Sequence, residues 1–427
     1  MSDVLADIIA GGSPSMEQIV SGLGARLPLL HELENTPQDR EWHAEGNVLI
    51  HTGMVLDELY VLLDTQLAGL SLEARAALVI AAALHDIAKP LATREREIDG
   101  RVRVVCPRHE LRGRSCLALQ LAGALPFSIL QQVMSMTGYH NAPKLLVVRS
   151  KSAGAYQKLS RHVDLESVYW LEQADMRGRI CHDKETQLEH LEMFKMFSQE
   201  YGCWQAMREH RWGKSIRDAL SSYSPATIDL VVANAIRDSE AGTITTVEEA
   251  IAKSYGYREE FPEVVVPVGI SGCGKTTWIQ KHLGDHELVS LDEIRASLSR
   301  RQDQENNSTV VRIAKEQLRE HLRAKRKVVW DATSLRTDFR SAIIELAIDY
   351  GALVTIVAFY CPPDVLAQRN KTRKHPVPVA VRLKQATSAQ WPEVSESHRI
   401  LEVDEKGTIL RAQGFHGPLP YGVQKLA

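Results

Sequence analysis

Two sets of residues in this chain carry side chains that could do chemistry, one suited to a metal ion and the other to phosphate. The first is scattered. His85-Asp86 follows an apolar run that begins at Ala76 and ends at Leu84, and His51 lies among apolar residues in NVLIHTGMV. At helical spacing His85 falls in line with Leu78 and Ala81, and His51 with Val48 and Val55. Asp175 follows the apolar segment VYWLEQA. One buried histidine is ordinarily a core residue. Two, with an adjacent carboxylate, offer the donors that divalent transition metals take, Mn, Co, Ni, Cu or Zn. The plainer use of residues 85–86 is to cap a helix end.

The second set is contiguous. VVVPVGISGCGKTTWIQ contains Gly269 and Gly274-Lys275-Thr276 in the pattern GxxxxGK[ST], between a predicted strand and a predicted helix. Glycines let the backbone of Gly269, Ser271, Gly272, Cys273 and Gly274 curl so that its N–H groups face an anion, and the helix beginning near Thr276 and Thr277 adds its positive dipole end. Lys275 reaches toward β- and γ-phosphates and Thr276 toward Mg²⁺, so the expected cofactor is Mg²⁺-ATP. Further on, SLDEIR places Asp292 and Arg295 three apart at the predicted end of the second strand, and VVWDATS places Asp331 at the end of the third. A carboxylate there can take a proton from an attacking hydroxyl, and an arginine can fix a phosphate. Asp331 can support Mg²⁺ or an acceptor. RNKTR carries Arg369 and Arg373 at i, i+4, hence on one helix face, where a pair can neutralise charge developing in transfer. Helix caps and solvated arginines are the bland uses of the same residues.

These residues need elements to position them. From about residue 15 to 255 the pattern is helical almost throughout, broken by EREIDGRVRVVCP, in which Asp99-Gly100 marks a two-residue hairpin turn. From about 259, short β-rich runs (VVVPVGI, HELVSLD, KVVWDAT, LVTIVAFY) alternate with amphipathic helices, the pattern of a parallel sheet covered by helices. The expected division is an all-α module over 1–185, a helical connector or extension over 186–258 to which no chemistry can be assigned, and an α/β P-loop module over 259–427, joined at REEFPE. Pro90 is expected to help stop the Ala-rich helix.

The order P-loop, Asp-x-x-Arg, Asp-Ala-Thr, Arg-Asn-x-x-Arg resembles the phage-type polynucleotide 5′-kinase over residues 263–390. The resemblance implies that Asp292 is the general base for a 5′-hydroxyl, that Arg295 contacts the acceptor phosphate, and that Arg369 and Arg373 sit on a lid over ATP. The set His51, His85-Asp86, Asp175, with its strings EGNVLIHT, LHDIAK and ADMRGR, resembles the HD phosphohydrolase superfamily, and CCA-adding nucleotidyltransferases carry a similar helical domain. That resemblance implies a metal held by these four residues, a functional Lys89, and a second pair of ligands in His109 and His140, which as plain residues would be surface or phosphate-facing histidines. Together the halves resemble the bacterial HD-domain phosphatase–polynucleotide kinase. This implies a bifunctional enzyme that phosphorylates 5′-OH ends and removes a 2′-, 3′- or 2′,3′-cyclic phosphate from the other end, on RNA rather than DNA, with an RNA ligase as a partner that seals the healed break. A small-molecule or nucleoside kinase fused to a nucleotide phosphohydrolase, and a nucleotide-sensing regulator without turnover, are the alternatives.

Composition sets outer bounds. A chain of 427 residues with 44% hydrophobic and 25% charged residues has material for more than one core. The net charge of −3 carries no global nucleic-acid signal, so a polyanion must be held locally, as by RVRVVCPRHELRGR, LRAKRKVV or RNKTRKHP. The six cysteines form no CxxC pair, which fits free thiols in a reducing, cytoplasmic setting. Neither a signal peptide nor a membrane span is expected.

Overall fold

The computed structural model describes residues 4–205, 211–298, 307–373 and 376–420. The chain divides into two compact units, Met1–Met207 and Arg208–Ala427. The 186–258 segment is therefore shared between them, and REEFPE lies inside the second unit.

The first unit is helical. It comprises α1 (Val4–Ile9), α2 (Met16–Leu23), α3 (Val48–Thr65), α4 (Leu72–Leu84), α5 (Lys89–Ala92), α6 (His109–Gln120), α7 (Phe127–Tyr139), α8 (Ala142–Val148), α9 (Ala153–His162), α10 (Leu165–Arg177) and α11 (Lys184–Glu200). The hairpin β1 (Arg94–Ile98) and β2 (Arg101–Val105) stands between α5 and α6. Its turn residues Asp99 and Gly100 have φ of 51° and 75°, the left-handed pair that a two-residue hairpin loop requires.

Helix α4 is the axis of this unit. Every residue from Ala76 to Leu84 is buried, and α3, α7 and α10 pack against it. A helix apolar all round belongs in a core, and its alanines let the neighbours approach closely. Gly178, just past α10, meets α3 so tightly that a Cβ there would lie 2.7 Å from the Val55 nitrogen. That approach seats the end of α10 against α3 at Met54 and Val55. Pro90 does not stop α4. The helix ends at Leu84, with His85 as its C-cap, and Pro90 occupies the first turn of α5, where a missing N–H costs nothing. No described helix is long and apolar enough to cross a membrane.

The second unit opens with α12 (Gly213–Ala219), α13 (Pro225–Glu240) and α14 (Val247–Ser254), which close on a small apolar core around Ile216, Val231 and Val232. A six-stranded sheet follows, in the order β4-β5-β3-β6-β7-β8. Its strands are β3 (Glu263–Val268), β4 (Glu287–Ser290), β5 (Lys327–Asp331), β6 (Leu353–Phe359), β7 (Arg399–Val403) and β8 (Ile409–Gln413). All neighbours run parallel except β8, which pairs antiparallel with β7. The covering helices are α15 (Lys275–His282), α16 (Leu291–Ser297), α17 (Asn307–Arg323), α18 (Thr337–Asp349), α19 (Pro363–Thr372) and α20 (Val379–Ser388).

The central strands β3 and β6 are buried along almost their whole length, which explains their unbroken apolar sequences. Strands β7 and β8 were not expected from sequence. Buried Arg399 and Glu402 interrupt the apolar pattern of β7, and both are paired inside. Arg399 Nε donates to Asp229 Oδ2 of α13 at 2.6 Å, and the Tyr360 hydroxyl donates to Glu402 Oε1 at 2.8 Å. Asp229 also accepts from the His416 backbone at 2.7 Å, so one carboxylate fastens α13 to both β7 and the chain beyond β8. Strand order reverses between β3 and β6, and in such sheets ligands bind beyond the strand C-termini at that point.

Candidate functional site

In the first unit six residues far apart in sequence converge. His51 comes from the first turn of α3, His85 and Asp86 from the end of α4, His109 from the start of α6, His140 from the end of α7 and Asp175 from the last turn of α10. All six are buried, none more than 8% exposed. Two sets have donor atoms close enough to share an ion: His51, His85 and Asp175, and Asp86, His109 and His140. Asp86 faces both. Its Oδ2 lies 3.2 Å from His85 Nε2 and 3.8 Å from His51 Nε2, while its Oδ1 lies 3.1 Å from His109 Nε2 and 3.9 Å from His140 Nε2.

The imidazoles are oriented from behind. Nδ1 donates to a backbone carbonyl three residues earlier in His85 (Ala82, 2.8 Å), His109 (Cys106, 2.7 Å) and His140 (Thr137, 2.9 Å). A carbonyl can only accept, so a proton sits on Nδ1 and Nε2 is turned to the cluster, where a neutral ring offers its lone pair. His51 Nδ1 instead lies 2.9 Å from Glu45 Oε1. His51 Nε2, His85 Nε2, Asp86 Oδ1 and Asp175 Oδ1 are buried and make no hydrogen bond, although His51 Nε2 and Asp175 Oδ1 are 2.9 Å apart. Buried polar atoms are ordinarily satisfied, and a cation satisfies this donor set. The residues therefore fit divalent metal.

The charges agree with the crowding. Burial works to raise the Asp86 carboxyl, but His85, Lys89 and His109 outweigh it and hold it well below the usual carboxylate range. Asp175 is likewise held low against burial by Arg179 and His51. His140 is pushed well below ordinary imidazole values, by burial first and then by His85 and His109, so it stays neutral. Lys89 Nζ sits 2.6 Å from Asp86 Oδ2 and donates to Gln38 Oε1 at 2.7 Å, and Arg179 Nη2 donates to Asp175 Oδ2 at 2.6 Å. A cavity of about 250 Å³ opens over the cluster, lined also by Trp42, His43, Lys89, Asn141 and Arg179. Glu45, Arg179 and Gln38 were not singled out from sequence. Only the proximity of Glu45 to His51 and of Arg179 to Asp175 could have drawn attention to them.

In the second unit the loop after β3 leads into α15. Gly272 and Gly274 have φ of 94° and 112°, values that side chains rarely adopt. Gly269 is packed behind the loop, where a Cβ would lie 2.6 Å from Cys273 Sγ. Lys275 Nζ folds back over the loop and donates to the Gly269 and Ile270 carbonyls at 2.8 and 3.2 Å. A cleft of about 1510 Å³ is lined by Ser271 to Thr277 together with Asp292, Arg295, Asp331, Arg369 and Arg373. All the candidates from this half thus surround one cleft, except Gly269 behind it.

Local details differ from expectation. Asp292 is not at a strand end but in the first turn of α16, and Ser290 caps that helix, its Oγ accepting from Glu293 N at 3.4 Å. Asp292 is therefore not a cap. It is largely exposed and accepts from Arg295 Nη1 at 2.6 Å. Arg369 and Arg373 do not share a helix face. Helix α19 ends at Thr372 and Arg373 is extended, and Pro376 and Pro378 follow in the sequence. Arg369 bonds the cleft walls together, donating to the Cys273 carbonyl at 3.1 Å and the Glu405 carbonyl at 2.6 Å. Asp331 closes β5. Burial pushes its carboxyl upward, and Asp292 and Glu293 add to this against Lys275. Sequence reading missed Gln385 of α20, which accepts from Ser271 N at 3.1 Å and donates to Ser271 Oγ at 3.0 Å.

Comparison with known proteins bears on this second unit. The chain matches no curated protein. A solved structure of a sugar kinase from Janibacter sp. HTCC2649, in unliganded form, is 20% identical, covers 34% of this chain and 86% of that chain, and has a TM-score of 0.29. Residues 264–396 match the family described as AAA domain (AAA_33), and with the glycine loop and the mostly parallel sheet they form a P-loop kinase-like domain.

Proposed function

We propose that the chain heals broken nucleic-acid ends, RNA rather than DNA, with a different reaction in each unit. The second unit transfers the γ-phosphoryl of ATP to a 5′-hydroxyl. The first, read as an HD phosphohydrolase, removes a 2′-, 3′- or 2′,3′-cyclic phosphate from the other end. The observation that carries the reading is the pairing, in one chain, of a six-residue metal-ligand cluster with a P-loop cleft far larger than a nucleotide alone needs.

In the kinase reaction, Lys275 and the N-terminus of α15 hold the ATP phosphates, with Thr276 and Asp331 toward Mg²⁺. Asp292 accepts the proton of the attacking 5′-hydroxyl as the γ-phosphoryl moves to that oxygen and ADP leaves. Arg295 fixes the acceptor phosphate, and Arg369 and Arg373 offset charge on the transferring group. For the phosphatase reaction, His51, His85 and Asp175 would hold one divalent ion and Asp86, His109 and His140 would hold a second. When bound, such ions lower the pKa of a bound water and polarise the phosphoryl oxygens. Lys89 and Arg179 line the cavity and set positive charge where a phosphate would bind. The products, a 5′-phosphate and a hydroxyl end, are those a ligase joins, so an RNA ligase is the natural partner.

The test uses one RNA carrying a 5′-hydroxyl and a 2′,3′-cyclic phosphate, with ATP and Mn²⁺, Co²⁺ or Ni²⁺. The expected result is label at the 5′ end and loss of phosphate at the other. Failure to label either RNA or DNA, with mononucleotides phosphorylated instead, would replace this reading with a small-molecule kinase.

A further inference from the structure

The cavity above the histidine–carboxylate cluster has an aromatic wall. Trp42 stands at its rim and is 36% exposed, an indole left partly in water beside a field of charges. Leaving so large an apolar surface wet forgoes stabilisation that burial would recover.

Its position is rigid with respect to the cluster. Trp42 N donates to the Asp39 carbonyl at 3.1 Å, and the next residues are tied to a ligand candidate: Glu45 Oε1 lies 2.8 Å from His43 Nδ1 and 2.9 Å from His51 Nδ1. Ala44 N and the Ile180 carbonyl (2.9 Å), with Ile180 N and Glu45 Oε2 (2.9 Å), clamp the same turn. The ring is flanked by cationic and π-bearing groups. The Arg103 guanidinium, held by Asp39 and Glu41, is 5.8 Å from its centroid, and the His182 ring is 5.4 Å away, tilted by 42°.

We propose that Trp42 is a stacking platform for the base of the terminal nucleotide whose phosphate enters the cavity, and that Arg103 positions it. The inference rests on the reading of the first unit as a phosphoesterase and names its substrate class: a phosphate borne by a nucleoside. A base presents a π-face whatever its identity, so the site accepts any base and rejects its absence. The adjoining guanidinium suits a neighbouring phosphate or the base plane.

The experiment compares a 2′-phosphate-terminated RNA with the same RNA made abasic at its last residue, using the full chain. Wild type should prefer the base-bearing end in kcat/KM by about 5- to 100-fold, the range a single stacked base supplies. Trp42→Ala should bring that ratio close to one, and Trp42→Phe should keep most of it. A ratio near one in wild type, or a ratio unchanged in Trp42→Ala, overturns the platform. A second readout is independent of turnover: cytidine 2′-monophosphate should quench indole fluorescence in wild type by an increment absent in Trp42→Phe. If neither RNA end is hydrolysed, the phosphoesterase reading fails and the quenching decides the platform alone. An increment attributable to Trp42 upholds it, and equal quenching in both proteins overturns it.

Discussion

On the proposed reading, the two units would handle phosphate in opposite ways. In the second, the anion-facing groups are backbone N–H groups from one continuous loop, shaped by glycines and aided by Lys275. In the first, the groups are buried side chains from five helices, spread from His51 to Asp175, and held in place by helix packing and by hydrogen bonds behind each imidazole. A backbone cradle is local and survives changes elsewhere in the fold. A side-chain cluster exists only when the core around α4 is assembled, and a bound cation would stabilise its crowded carboxylates and imidazoles. The first unit should therefore couple its folding to metal, and the second should not.

The sharpest way to break this comparison is to disable one unit at a time. Lys275→Ala should reduce 5′-end phosphorylation by about 10³-fold, judged by end labelling, with phosphate release retained. Asp86→Ala should remove phosphate release with labelling retained, and should also lower the bound metal, measured by elemental analysis, because this carboxylate faces both ligand sets. If either substitution silences both reactions, the two sites are not independent. A smaller effect is expected at Glu45→Gln, where the carboxylate behind His51 becomes an amide. Metal affinity should fall by about 10- to 100-fold in chelator competition.

The pH response separates the units again. His398 accepts a hydrogen bond from Val354 N at 2.9 Å, and burial pushes its imidazole down to about 3. Its folded pKa lies below its unfolded value, so stability is full above about pH 6.5 and is lost as pH falls toward the folded value. Between pH 7 and pH 5 the loss is about 2 kcal/mol, expected as lower amide-exchange protection factors in β6 and flattened in His398→Asn. The smallest effect is at Gln385→Ala, which frees Ser271 N and should raise the KM for ATP by up to about tenfold.

This contrast also governs what was legible in sequence. The glycine loop could be read outright because its chemistry is contiguous, and the β1–β2 hairpin because Asp99-Gly100 has few other uses. The histidine cluster could be read only as a scattered pattern, its geometry being a property of packing. Gln385 left no signal, and Glu45 and Arg179 only their nearness to His51 and Asp175, because nothing in their spacing marks a residue that acts through another. Strand β7 was hidden by Arg399 and Glu402, whose charges look solvated until their buried partners are known. Pro90 was misjudged because a proline after a helix and a proline opening the next one look alike in sequence.

The carboxylate of Asp229 bears on how the molecule can be cut. The change of texture near residue 259 invites separating the kinase-like half there. That cut would discard α13 and leave Arg399, which is 3% exposed, without the Asp229 Oδ2 that its Nε and Nη2 share, with only Glu263 at 3.8 Å opposite its buried charge. Such a loss costs about 3–5 kcal/mol, a large part of the stability of a single domain. A fragment beginning ahead of Gly213 keeps the latch, and only with it should the sheet hold its fold alone.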